Sequence, residues 1–321
     1  MVPKSLSKRG SSTYARVRIV GLLALVGALL MLSGSYGQQP EATLEVTFLD
    51  VGHGDCIYVQ LPHRPDVLYD DLLVDGGNAA RGARELKKFL EERGQDKVDL
   101  VFLTHAHADH AGGLAAVLEP PPQGEQSSPD GIEFDRLYYS GTDFGTKTFK
   151  RLMELAGDRA EVLRRGDKVD LDADEKDDLS LEVLNPPSGP LSTEENDNSL
   201  VLLLTYGDEK FLLAGDIEED SERQLLEAYK KQLHAQVLKV PHHGSDTSSS
   251  PPFVAAVSPQ FAVVCTDGKS YGLPNDDVLD RYRQAGAEVL RTDEDGTISF
   301  LATEQSLGVT TERPEEPSAT Q

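Results

Sequence analysis

The sequence predicts a single mixed α/β domain that extends from about residue 43 to residue 302. Short apolar runs typical of strands recur throughout this region, and segments with apolar residues at helical spacing lie between them. No Pro/Gly/Ser-rich stretch long enough to separate two domains interrupts the region. The order of these segments gives a β-rich first half, followed by a half in which strands and helices alternate.

The first half begins with predicted strands. Residues 43–50 alternate between polar and apolar side chains, and strand-like patterns continue at 56–61 and 72–74. The segment 83–93 has helical spacing and stops at Gly94, after which 98–103 forms an apolar strand. The other elements predicted for this half are a helix over 114–118, a loop over 120–131, a strand over 134–140, a helix over 146–156 and an acidic loop or hairpin over 167–178.

The second half alternates strands with helices. The predicted strands are 181–184, 199–206, 210–214, 237–240, 261–264, 288–290 and 297–301, and the predicted helices are 218–233, 251–257 and 276–285. From 303 to 321 the chain is polar and rich in proline and glutamate, which predicts a disordered tail.

Residues 1–37 have the layout of an export signal. A basic segment without acids precedes the unbroken apolar run IVGLLALVGALLML (19–32), and small residues follow it. This run is shorter than the roughly 20 residues that a spanning helix needs. We therefore expect a signal peptide, with an uncleaved N-terminal membrane anchor as the alternative. The protein is expected to be exported, extracellular or periplasmic, and to touch a membrane only through this segment.

The composition is strongly acidic, with 31 Lys and Arg against 55 Asp and Glu and a formal net charge of −24. Such a surface repels anions at long range, so the charge disfavours nucleic acid as a partner without excluding it. The chain has two cysteines, Cys56 and Cys265. Export would permit a disulfide between them, and two buried thiols are the alternative.

The stretch LTHAHADHAGG (103–113) places three of the eight histidines of the chain within six positions. In an extended turn, residues two apart point the same way, so His105 and His107 can bind one metal ion together. Asp109 and His110 then reach a neighbouring ion. The spacing therefore predicts two adjacent half-sites on the loop after a strand.

Two further strand ends carry groups that could complete these half-sites. Asp216 follows the apolar run of LLAGD, where an isolated carboxylate is unfavourable unless it is paired or binds metal. Its alternative role is the N-cap of the following helix. His242 and His243 follow another such strand in VLKVPHHGS.

These motifs resemble those of metallo-β-lactamase-fold hydrolases, and within them the soluble hydrolase domain of the ComEC competence proteins. The resemblance implies an αββα sandwich, in which two mixed sheets lie face to face and the metal site lies along one edge. It also implies two divalent metal ions, zinc or manganese. The matching segments, in the family's order, are FLDVGHGDC (48–56), LLVDGG (72–77), LTHAHADHAGG, NDNSLVLLLTYGDEKFLLAGDIE (196–218), VLKVPHHGSDTSS (237–249), YGLP (271–274) and RTDEDGTISF (291–300).

The resemblance assigns roles residue by residue. Asp216 matches the aspartate that bridges both ions, and Asp75 matches a buried acid that orients metal-binding histidines. The implied metal ligands are His105, His107, Asp109, His110, Asp216 and His242, with His243 in place of His242 if the register differs by one residue.

The sequence departs from the wider pattern at two places. The usual third histidine of the first metal site should fall near 196–199, where the residues are NDNS. We infer that Asp55 completes this site, which would favour manganese, although a plain turn residue is the alternative; His53 beside it is expected to be a loop histidine. ComEC-like sequences usually have a histidine where this chain has Leu273. Lys269 and Ser245 are nearby candidates for phosphate contacts.

The function predicted from this resemblance is that of an exported dinuclear-metal hydrolase, most simply a phosphodiesterase or nuclease. Asp109 or Asp216 would accept the proton of the attacking water. One alternative is hydrolysis of a small extracellular ester, a phosphocholine ester or a lactone. The other is a non-catalytic protein that binds metal.

Overall fold

The structure, a computed structural model, describes residues 42–120, 131–143, 145–173, 176, 178–189 and 192–313. All of these residues belong to one unit, Gln39–Gln321. The strands are β1 Leu44–Phe48, β2 Ile57–Gln60, β3 Asp71–Val74, β4 Lys97–Leu103, β5 Glu133–Tyr139, β6 Ala160–Val162, β7 Lys168–Val169, β8 Leu179–Asn185, β9 Val201–Tyr206, β10 Glu209–Leu213, β11 Val237–Lys239, β12 Phe261–Val264, β13 Glu288–Arg291, β14 Ile298–Thr303 and β15 Ser306–Thr311.

The helices lie between the strands in chain order. They are α1 Arg81–Arg93, α2 Ala108–Leu118, α3 Lys147–Ala156, α4 Glu219–Tyr229, α5 Pro251–Val257, α6 Asp276–Gln284 and α7 Thr292–Asp295. Within the described ranges, no helix combines the length and the apolar character needed to cross a bilayer.

The strands form two mixed sheets. The first has the order β15-β14-β1-β2-β3-β4-β5-β6, and the second has the order β13-β12-β11-β10-β9-β8-β7. Strands β3 to β6 are parallel neighbours in the first sheet, and β10 to β13 are parallel neighbours in the second. Parallel strands end at the same edge of a sheet, so the loops after β3, β4, β10 and β11 can meet there.

Three apolar layers hold the sheets and helices together. Between the sheets, the ring of Phe300 contacts those of Phe48, Phe211 and Phe261 at centroid distances of 5.9, 6.1 and 5.3 Å. Residues of α1, α2 and α3 pack on the outer face of the first sheet, and residues of α4, α5 and α6 pack on the outer face of the second. This layering confirms the αββα sandwich that the resemblance implied.

Most predicted elements occur within a few residues of their expected bounds, and the differences have physical reasons. Helix α2 begins six residues earlier than predicted, inside the histidine motif. The predicted tail from 303 onward instead continues as β15, because Leu307 and Val309 pack against the core beside β14. Cys56 and Cys265 are both free and buried. The predicted signal or anchor (1–37) and the loop at 121–130 lie outside the described residues.

Candidate metal centre

The histidine motif lies across a strand end and a helix start. Strand β4 ends at Leu103, and His107 has extended backbone angles as the N-cap of α2. His105 and His107 therefore project from the loop, whereas Asp109 and His110 belong to the first helical turn. The four side chains converge on the edge where the loops after β3, β10 and β11 also arrive.

His110, His243 and Asp216 form the tightest part of the cluster. Nε2 of His110 lies 3.2 Å from Oδ2 of Asp216 and 3.3 Å from Nε2 of His243. Nε2 of His243 lies 3.2 Å from the same Asp216 oxygen and 3.6 Å from Oδ2 of Asp109. Three of the four side chains are almost fully buried, and Asp109 is the accessible one. We call Asp109, His110 and His243 the second half-site.

His105 and His107 form the first half-site. Nε2 of His105 lies 3.0 Å from Nδ1 of His107 and 3.8 Å from Oδ2 of Asp216. The His107 side chain is 43% exposed, and its Nε2 lies 3.5 Å from Glu195 Oε2. Asp216 Oδ2 thus faces both half-sites, as the resemblance implied for a bridging ligand.

Hydrogen bonds behind the second half-site fix its imidazole rings. Nδ1 of His110 lies 2.7 Å from Oδ2 of Asp75, which also accepts a hydrogen bond from the Thr104 hydroxyl at 2.7 Å. Nδ1 of His243 donates to the carbonyl oxygen of Cys265 at 2.8 Å. Both contacts leave Nε2 free to bind a metal ion. Asp75 therefore lies where an orienting acid is expected.

Lys239, at the end of β11, lies beneath the cluster and is fully buried. Its Nζ is 2.7 Å from Asp55 Oδ2, 3.0 Å from Asp216 Oδ1 and 2.8 Å from the carbonyl oxygen of Gly215. Burial lowers the pKa of Lys239, but the two carboxylates outweigh burial and raise that pKa above its ordinary value. The ammonium group donates a hydrogen bond to Oδ1 of Asp216, and Oδ2 remains to face the half-sites.

The structure places Asp55 and His242 differently from the sequence-based assignment. Asp55 is bound by Lys239, its Oδ1 lies 3.6 Å from Nδ1 of His243, and no candidate ligand group among the described residues joins it to the first half-site. It approaches the rear of the second half-site instead. His243 belongs to the cluster, whereas His242 turns outward, with Nδ1 3.1 Å from Glu218 Oε1. Consecutive left-handed residues, at φ 46° and 51°, separate the directions of the two side chains.

The two residues suggested for phosphate contacts differ in their accessibility. Ser245 is buried, with its hydroxyl 3.0 Å from that of Thr247. Lys269 is exposed on the loop after β12. The structure therefore leaves Lys269 accessible to a ligand, while the Ser245 hydroxyl already has a protein partner.

His53, expected as a loop histidine, lies at the accessible edge of the second half-site. Its Nε2 is 3.5 Å from Asp109 Oδ2, and it forms a candidate ligand group with Asp109 and His243. Gly54 permits this approach, because a Cβ at Gly54 would lie 2.1 Å from the Asp109 carbonyl oxygen. The glycine also has φ 124°, which a side chain would disfavour.

The residues present fit divalent metal ions. Imidazole nitrogens and carboxylate oxygens are the donors that zinc and manganese take in proteins. Buried polar atoms without a hydrogen-bond partner also collect around the cluster, an arrangement that calls for an ion or water. These atoms are His53 Nδ1, Asp55 Oδ1, Glu195 Oε1 and Asn196 Oδ1.

The sequence analysis did not identify Lys239 and Glu195 as residues of this centre. It named His53 only as a loop histidine and missed its contact with Asp109. Lys239 carried a usable signal, because it is the one charged residue in the apolar run VLKV (237–240). A lysine at a buried strand position requires a carboxylate partner. Glu195 and His53 lie in polar loops, where the sequence gives no comparable sign.

A profile of the Metallo-beta-lactamase superfamily matches residues 69–269. The chain therefore belongs to this superfamily of metal-dependent hydrolases. It is 32% identical over 278 residues to Competence protein ComA of Neisseria gonorrhoeae, covering 85% of this chain and 35% of that protein. It is 29% identical over 273 residues to ComE operon protein 3 of Bacillus subtilis (strain 168), covering 80% and 33%.

These matches confirm the superfamily and the likeness to competence proteins predicted from the motifs. The chain spans about a third of the length of these two relatives. A solved structure of the metallo-beta-lactamase fold protein YhfI from Bacillus subtilis matches with a TM-score of 0.46 and 12% identity, covering 84% of this chain and 100% of that one.

Proposed function

We propose that this chain is an exported phosphodiesterase that works with two divalent ions, zinc or manganese. The observation that carries the proposal is the position of Asp216, whose Oδ2 faces both half-sites while Oδ1 is held by Lys239. A shared carboxylate oxygen of this kind suits a pair of neighbouring ions. Two-metal sites favour displacement at phosphorus, because the two ions can stabilise both the attacking and the leaving oxygen.

The residues that would hold the ions divide between the half-sites. His105 and His107 would bind the first ion, the second half-site would bind the other, and Asp216 would contact both. The bound ions would supply Lewis acidity and make a water nucleophilic at neutral pH. The buried residues behind them exclude bulk solvent from the rear of the site.

Asp109 is the better placed of the two candidate proton acceptors. Asp216 is buried and has both oxygens engaged, whereas the Asp109 side chain is 27% exposed and faces His243 and His53. Burial raises the pKa of Asp109, but the neighbouring imidazoles of His243 and His110 outweigh burial and hold this pKa well below its usual range. Asp109 is therefore ionised at neutral pH, and its accessible Oδ2 can accept a hydrogen bond from the attacking water.

The proposed test uses the purified full chain in detergent, stripped of metal and then loaded with manganese or zinc. The substrates are bis-p-nitrophenyl phosphate and single- and double-stranded DNA, and Asp109→Ala is the matched variant. Metal-dependent diester cleavage that is lost in the variant supports the proposal, and DNA turnover would extend it to a nuclease. Failure to bind metal would contradict every hydrolase interpretation and leave a non-catalytic protein.

Hydrolysis of a small ester, a phosphocholine ester or a lactone is the second candidate. The net charge of −24 favours it, because such a surface repels a polyanion. Two bound ions without phosphodiester cleavage, together with turnover of an ester or lactone, would replace the first proposal with this one.

Export is proposed from the N-terminal segment alone, whose basic start and 14-residue apolar run (19–32) resemble a signal peptide. Expression of the full chain in a bacterial host, followed by fractionation and N-terminal sequencing, tests this part. A mature N-terminus near residue 38 in the exported fraction is the expected result. An intact N-terminus in the membrane fraction would indicate the anchor instead.

A further inference from the structure

We infer that Tyr271 is a stacking platform for a nucleobase, so that the phosphodiesters cleaved at this site are nucleotide diesters. The inference rests on the proposed phosphodiesterase function and narrows its substrate class. It is carried by the exposure of Tyr271, its position relative to the cluster and the rigidity of its loop.

Tyr271 is far more exposed than a tyrosine in a folded protein normally is. Its side chain is 87% exposed, whereas the other exposed large apolar residues in the described part of the chain reach at most 52%. An exposed aromatic ring offers a π-face on which a nucleobase can stack. The ring therefore presents a free aromatic face at the edge of the site.

A row of aromatic rings connects Tyr271 to the metal centre. The Tyr271 ring lies 5.2 Å from the ring of His53, which in turn lies 4.3 Å from the ring of His243. His53 also contacts Asp109, at 3.5 Å from its Oδ2. A group stacked on Tyr271 would thus be close to a phosphate at the second half-site.

The loop that carries Tyr271 is fixed before any ligand arrives. The carboxylate of Asp267 accepts hydrogen bonds from the backbone N–H of Lys269 at 3.1 Å and from both the N–H and the hydroxyl of Ser270, at 2.8 and 2.7 Å. The N–H of Leu273 donates to the Ser270 carbonyl at 3.0 Å. Tyr271 itself has φ 57°, a left-handed conformation that is rare for residues with side chains. Such outliers cluster at ligand-binding sites, where the surrounding bonds maintain them.

The charges around the site favour binding of a nucleoside on the side of the Tyr271 loop. The rim beside His107 and His242 carries Glu195 and Glu218, which repel phosphate. The Tyr271 loop carries the ammonium group of Lys269 beside the carboxylate of Asp267, so its side chains add no net charge. A base is a suitable occupant of the aromatic face because every nucleobase has a π-face, and stacking tolerates any sequence.

The kinetic test compares a substrate that has a base with one that lacks it. Thymidine 5′-(p-nitrophenyl phosphate) and methyl p-nitrophenyl phosphate share the same leaving group, and the full chain is assayed with each. Tyr271→Ala is expected to raise KM for the thymidine substrate roughly 5- to 150-fold, the range of one lost base stack, with kcat unchanged. KM for the methyl substrate should not change, and Tyr271→Phe should retain the KM of the parent protein.

A binding test separates this inference from the proposed function. The chain contains no tryptophan, so Tyr271→Trp introduces a single tryptophan at the platform, whose emission can be excited selectively over that of the tyrosines. A phosphorothioate-linked thymidine dinucleotide should quench its emission. Leu301→Trp, in β14 opposite Glu45 and 52% exposed, is the matched control and should not respond.

The outcomes distinguish the two failures. Equal KM changes for both substrates, no change for either, or failure of Tyr271→Phe to retain the parent KM would overturn stacking while leaving phosphodiester hydrolysis intact. If no diester is cleaved, the proposed function fails, and the fluorescence experiment alone decides whether Tyr271 stacks on a nucleobase. Quenching in the Tyr271→Trp variant but not in the Leu301→Trp variant would then support a nucleotide-binding platform, and equal or absent quenching would overturn it.

Discussion

The two half-sites differ in how firmly their histidine rings are held. In the second, each imidazole has a buried partner behind it, Asp75 for His110 and the Cys265 carbonyl for His243. In the first, His107 is 43% exposed and its nearest carboxylate, Glu195, is 3.5 Å away. Among the described residues, no candidate three-ligand group includes His107. The second ion would therefore be held by braced ligands, whereas the first would rely on Asp216 and on buried His105, whose Nδ1 lies 3.1 Å from the Thr104 hydroxyl, more than on His107.

Asp216→Ala should have the largest effect, since both half-sites depend on its Oδ2. We expect metal content to fall toward zero and activity to drop by more than about 100-fold, beyond the range seen when only an orienting partner is lost. Elemental analysis after gel filtration and bis-p-nitrophenyl phosphate assays measure both. Asp220→Ala, an exposed carboxylate at the start of α4, is the control. Retention of one tightly bound ion would show that the half-sites do not share this ligand.

Lys239→Met should strongly destabilise the metal-free protein. Removing the ammonium group leaves Asp55 and Asp216 as unpaired buried carboxylates, and breaking a buried pair costs about 3–5 kcal/mol. Urea unfolding of the metal-free variant measures this loss. The control is Lys88→Met, whose side chain is exposed and lies 3.8 Å from Glu92, a surface pair worth about 0–1 kcal/mol. Equal stability of the two variants would contradict the role given to Lys239.

Asp75→Asn should weaken the second half-site without removing a ligand. The amide no longer stabilises the tautomer of His110 that presents Nε2, and loss of such a partner costs about 10–100-fold in metal affinity. Competition with a chelating dye measures the affinity. Asp71→Asn is the matched control, because Asp71 is equally buried in β3 but binds Tyr58 and the Asp99 N–H. An effect as large at Asp71 would mean that the loss reflects general destabilisation.

Glu195→Gln should have the smallest effect, less than about tenfold in affinity and confined to the more weakly held ion. The contact with His107 is long and the histidine is partly solvated, so water can replace the carboxylate. The same dye competition measures it, beside the exposed control Glu194→Gln. If Glu195→Gln weakened metal binding as much as Asp75→Asn, the ligands of both half-sites would be held equally firmly. That result would contradict the difference between the half-sites described above.

Much of the fold could be predicted from the sequence, because strand and helix periodicity reflects which face of each element is buried. The prediction failed where packing partners come from distant parts of the chain. Strand β15 is an example, since Leu307 and Val309 become apolar anchors only beside β14. The pairing of the strands into two sheets came from the resemblance and not from the pattern.

The histidine motif could be predicted because its ligands are close in sequence. The remainder of the site depends on backbone angles and contacts that no local pattern determines. Two consecutive left-handed residues decide that His243 and not His242 faces the cluster. Likewise, the position of the Asp55 side chain depends on its ion pair with Lys239, which lies on β11 in the opposite sheet.

The buried lysine also lowers the negative charge that bound ions would have to offset. The carboxylates of the centre, with Lys239, carry a formal charge of −4, which two divalent cations would bring to zero; these carboxylates are Asp55, Asp75, Asp109, Glu195 and Asp216. Without Lys239 the same carboxylates would carry −5, and two divalent cations would leave the centre with a negative charge that repels an anionic ligand. Lys239, without touching a ligand, would thereby allow an anion to approach the centre.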